Sequence, residues 1–163
     1  MCAVLVLGVA QADQSTDATG DYAKDLTRVI AAIRAISALK DVCAEGFTHL
    51  RQQNEAAHAE WRRRHQEFLD EMERHLSEMT WGEAKGEDAR HLELLAKYDE
   101  QFAQDKAGLR NGLMVNGPES FRRVCSVYPR YILETERGNL QHFYEGQVRV
   151  IRKGPPAAAG APQ

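Results

Sequence analysis

No apolar run in this 163-residue chain approaches the ~20 residues that a membrane-crossing helix needs. Its three cysteines never occur as C-x-x-C, which excludes a vicinal dithiol redox site and, with C-x-x-C-H also missing, covalent haem attachment. There is no P-loop, no G-x-G-x-x-G, no G-x-S-x-G elbow and no H-E-x-x-H, so the common phosphate-cradling, dinucleotide, hydrolase and zinc-protease signatures are absent. Aromatic residues make up only 7% of the chain, which points to a modest core. The formal charge of −3 gives no electrostatic footprint for general nucleic-acid binding.

The chain does have a distinctive beginning. Residues 1–12 form a short apolar stretch that ends Ala10-Gln11-Ala12, the small-x-small pattern of a signal-peptidase site. No Lys or Arg precedes the apolar run, and the first charged residue is Asp13. Residues 1–12 are therefore read as a signal peptide, with a periplasmic or secreted destination and no membrane span after cleavage. Cys2 leaves with the leader. Residues 13–20 are polar and turn-prone and read as a flexible leader to a bundle domain over 21–153. The Gly-, Pro- and Ala-rich stretch 154–163 reads as a disordered tail.

Between these ends the pattern is helical. Tyr22, Leu26, Val29, Ile30, Ile33, Ile36, Leu39 and Cys43 recur at three- and four-residue steps, which predicts a helix over about 20–45. Phe47, Leu50, Ala57, Trp61, Phe68, Met72, Leu76 and Met79 form a second stripe with no Pro or Gly inside it. One long helix over about 48–80 follows, with polar residues Asn54 and Arg64 or His65 on its seam. Trp81-Gly82 and Lys85-Gly86 bracket the next turn. A third helix is predicted over about 86–110, with a loop from Asn111-Gly112 to Gly117. Pro118 then starts a fourth, because its missing N–H has no helical partner at a first position. Pro129 is expected to break or kink that helix, and 139–151 to form a short last one. The fold class is all-α: an antiparallel bundle of about four main helices, most simply up-down-up-down, with a kinked C-terminal segment. An extended coiled-coil dimer is the competing architecture, so monomer and homodimer both stay open.

Cys43 and Cys125 fall on apolar helix faces, and in an oxidising compartment they are a natural structural disulfide. Aromatic residues around that pair and the following proline make a corner. Phe121, Tyr128, Pro129 and Arg130 are the candidate groove for a protein partner. Arg122, Arg123, Arg130 and Arg137 make 118–153 locally basic, with seven Arg/Lys against four Glu, and could meet an acidic partner.

Other constellations are weaker. Glu55-Ala-Ala-His58 is a single E-x-x-H, whereas a di-iron bundle needs two with further inward carboxylates. Met72, His75 and Met79 could offer soft ligands to copper or axial ligands to haem, but two core methionines with a histidine at the edge explain them more simply. Arg62-Arg63-Arg64 is read as a solvated face neutralised by Glu60 and Glu67. No catalytic residue, metal ligand or cofactor is assigned. The expected function is protein binding by an exported bundle, as adaptor, chaperone-like factor or envelope assembly factor. The alternative is a metal- or haem-binding bundle.

Overall fold

Asp21 starts the first helix by accepting the Lys24 backbone N–H on its side chain at 3.0 Å, which satisfies one of the donors a helix N-terminus leaves open. This helix, α1, runs Tyr22–Gly46. The computed structural model describes residues 17–155, so the proposed signal peptide and most of the tail lie outside the described residues. Thr19 and Gly20, read from sequence as part of the leader, are tied to α1. The fully buried Asp25 carboxylate accepts from the Thr19 N–H and hydroxyl at 3.0 Å each and from the Gly20 N–H at 3.1 Å. Three donors on one carboxylate offset the cost of burying it.

Among the described residues the chain is an all-helical bundle gathered on α1. A 3-10 turn, Thr48–Leu50, leads into α2 (Arg51–Arg64), followed by α3 (Gln66–Glu83), α4 (Asp88–Val115), α5 (Pro118–Glu134), α6 (Leu140–Phe143) and α7 (Glu145–Arg152). Each of the six later helices packs against α1. The main core joins Leu26, Val29 and Ile30 of α1 to Trp61, Met72, Tyr128, Ile132, Val148 and Ile151. A smaller cluster of Val42, Cys43, Leu113, Phe121 and Cys125 closes the other end of α1.

Four boundaries differ from the sequence reading. The long helix expected over 48–80 is two helices, because His65 leaves the helical range at φ −110° and ψ 14°. No Pro or Gly marks that break. It falls one turn after Trp61, whose indole Nε1 donates to the Gly138 carbonyl at 2.7 Å, a tertiary tie that local sequence does not announce. Asn111-Gly112 stays inside α4, so the loop before α5 is confined to Asn116 and Gly117. Gly117, at φ +84°, supplies the left-handed residue that lets Pro118 open α5. Of the break or kink expected at Pro129, the break does not occur, since helix α5 continues through it to Glu134. The expected last helix is two short ones, separated at Tyr144.

Gly138 is a position where only hydrogen fits. Any Cβ there would run into the backbone of Ile132, and the Gly138 carbonyl is the acceptor of the buried Trp61. Helix α4 packs mainly with half-buried side chains such as Tyr98 and Leu109, with Leu113 its single buried residue. Polar contacts fasten it: Arg34 donates to the Tyr98 carbonyl at 2.6 Å, and Lys106 pairs with Glu45 at 2.7 Å.

Candidate functional site: the disulfide corner and its groove

Cys43 of α1 and Cys125 of α5 are joined by a disulfide, with both residues fully buried. The bond draws the segment after α1 against the start of α5. Phe47 meets Phe121 edge to face, with ring centroids 4.8 Å apart. Gly46 lies so close to the same ring that a Cβ there would come within 2.9 Å of it.

Pro129 adds a second constraint at this corner. A proline cannot donate to the carbonyl four residues before it, and here that carbonyl belongs to Cys125. The side chain of Asn54, fully buried on α2, donates to it at 3.2 Å. Asn54 thereby replaces the helical bond that Pro129 removes, and α5 passes through the proline intact. Tyr128, also fully buried, donates its hydroxyl to the Ile36 carbonyl at 3.2 Å. Burial raises its phenol pKa well above the ordinary tyrosine value.

Beside this corner opens a groove of ≈ 530 Å³ lined by His49, Leu50, Glu119, Arg122, Arg123 and Ser126. His49 and Leu50 come from the 3-10 turn, and the other four from α5. Arg122, Arg123 and Glu119 are exposed, and none has an ion-pair partner among the described residues. Ser126 donates its hydroxyl to the Arg123 carbonyl at 2.8 Å, which leaves its oxygen free to accept.

The residues singled out from sequence divide around this corner. Phe121 and Tyr128 are buried and form its interior. Pro129 is half-buried and acts through Cys125 and Asn54, while Arg130 is exposed on α5 away from the groove lining. His49, Leu50 and Glu119 were not singled out. No spacing links them, but the Cys43–Cys125 pairing does carry the signal. A bond between those cysteines must bring residues just after 43 beside residues around 125.

The other constellations resolve into packing and surface pairs. Arg63 and Arg64 both bind Glu60, at 2.8 and 2.7 Å, and hold its carboxyl down at about 2. Met72 is buried in the core, and the Nδ1 of His75 is 3.2 Å from the Tyr22 hydroxyl. Glu55 is exposed whereas His58 is buried, so the E-x-x-H pair does not converge. Among the described residues no group of three His, Cys, Asp or Glu side chains is placed to hold a metal ion.

The chain does carry one spacing associated with catalysis. Ser37-Ala38-Leu39-Lys40 has the S-x-x-K spacing of some serine acyl-transfer enzymes. Here Lys40 pairs with Asp41 at 2.6 Å, and Ser37 Oγ lies 3.1 Å from His58 Nε2. The Ser–His distance suits a nucleophile and its base. Burial, followed by the charges of Lys40 and Arg62, lowers His58 to about 4, far below a useful general base near neutral pH. The His58 ring also stacks on Trp61, 5.7 Å between centroids. Ser37 and His58 therefore form a core hydrogen bond between α1 and α2.

No protein-family model matches the chain, and no curated protein or solved structure matches it significantly.

Proposed function

We propose that this chain is an exported, disulfide-fastened helical bundle that acts by binding a protein partner through the groove beside Cys125. The groove carries the reading: two exposed arginines, without ion-pair partners among the described residues, line it together with Leu50, which packs against the cluster that holds the disulfide and Phe121. Charges with no internal partner to give up suit recognition of an oppositely charged group. The apolar Ala10-Gln11-Ala12 leader and the oxidised cysteine pair support a periplasmic or secreted site of action.

In-cell photo-crosslinking tests the reading. A photoreactive residue at Ser126 is expected to form an adduct with one protein, identified by mass spectrometry. The same residue at Glu73, exposed on α3, is expected to form none. Equal background from both positions would contradict the proposal.

A further inference from the structure

We infer that the groove between the 3-10 turn and α5 takes a short extended peptide segment bearing a single carboxylate side chain, held by Arg122 and Arg123. This rests on the binding role proposed above and specifies its ligand. Guanidinium groups present planar, paired donors that match a carboxylate, and these two have no internal partner to give up among the described residues. The His49 ring brings a further N–H in either tautomer.

The rest of the lining tells a peptide from a simple anion. Glu119 and the Ser126 oxygen are acceptors, and Leu50 offers apolar surface. A peptide carries what this mixture needs: a carboxylate for the arginines, backbone N–H groups for Glu119 and Ser126, and a methylene stem for Leu50. A phosphate or a polyanion concentrates more negative charge beside Glu119 than a single carboxylate does and is repelled by it more strongly. The formal charge of −3 adds to that repulsion. The volume of ≈ 530 Å³ falls within the ~300–1,000 Å³ of typical ligand sites.

The test uses an acetylated, amidated alanine tetrapeptide with glutamate at its second position, its glutamine twin, and inorganic phosphate. Each is titrated into the oxidised protein and followed by the arginine side-chain Nε–H resonances. The glutamate peptide is expected to bind about ten-fold tighter than the glutamine twin, as loss of a charged hydrogen bond implies. It should shift Arg122 and Arg123 but leave Arg130, exposed on the same helix outside the groove, in place. Combined R122Q and R123Q should erase the preference, and E119Q should tighten phosphate binding. All three positions are exposed, so the variants should fold. Equal affinity for the twins, tighter binding of phosphate than of the glutamate peptide, or no gain in phosphate binding with E119Q would each overturn the inference. A Ser126 adduct together with equal affinities would leave the binding role standing and remove the carboxylate.

Discussion

The Asn54 side-chain amide on α2 donates to the Cys125 carbonyl on α5 at 3.2 Å, filling the place of the N–H that Pro129 lacks. A polar residue on the buried face of α2 thus lets a proline stand inside a helix next to a buried disulfide.

Removing that donor should leave a buried carbonyl unpaired. Asn54→Ala is expected to destabilise the fold by about 1–3 kcal/mol, read by urea unfolding. Pro129→Ala restores a backbone N–H to the same acceptor. In the Pro129→Ala background the Asn54→Ala cost should therefore shrink by about 1 kcal/mol. Additive costs would show that the two residues act independently.

His58 makes stability depend on pH. Its folded pKa of about 4 lies below the ~6.5 of an exposed histidine, so the unfolded chain binds the proton first as pH falls. Stability is retained above pH ~6.5 and lost progressively down to about 4, by roughly 2–4 kcal/mol in all. His58→Gln should flatten urea midpoints measured between pH 7 and 4.5. A residual slope should remain, because burial also depresses His65.

Gly138→Ala should be among the costliest single substitutions, at about 2–4 kcal/mol, because the methyl group collides with the Ile132 backbone beside the acceptor of Trp61. Thermal unfolding of the variant gives the measurement. Gly112→Ala, open on all sides inside α4, should instead stabilise by about 0.5–1 kcal/mol.

Helix-scale features were legible because their causes are local. The apolar period of α1 and the Pro118 start both lie within a turn or two of the residues they organise. The pairing of Cys43 with Cys125 was legible from their apolar faces taken together with the expected export to an oxidising compartment. What escaped the sequence depends on partners far along the chain. The break at His65 follows a tie from Trp61 to Gly138, and survival of α5 through Pro129 depends on Asn54, 71 residues before Cys125. Asn54 looked like a flaw in a seam, and its use appears only when α2 and α5 meet. The groove was half legible. Its arginines stood out as a basic segment, but His49, Leu50 and Glu119 join them only through the fold.

Peptide mapping of the protein recovered from its native host, alkylated before any reductant is added, tests the account most directly. The disulfide joins α1 to α5 beside the groove, and the proposed export requires it to form in the cell. Cys43 and Cys125 are expected in one linked pair of peptides with neither thiol alkylated. Reduction should then lower stability by about 4–5 kcal/mol, given the 82-residue separation. Recovery of both cysteines as alkylated thiols without reductant would contradict the account.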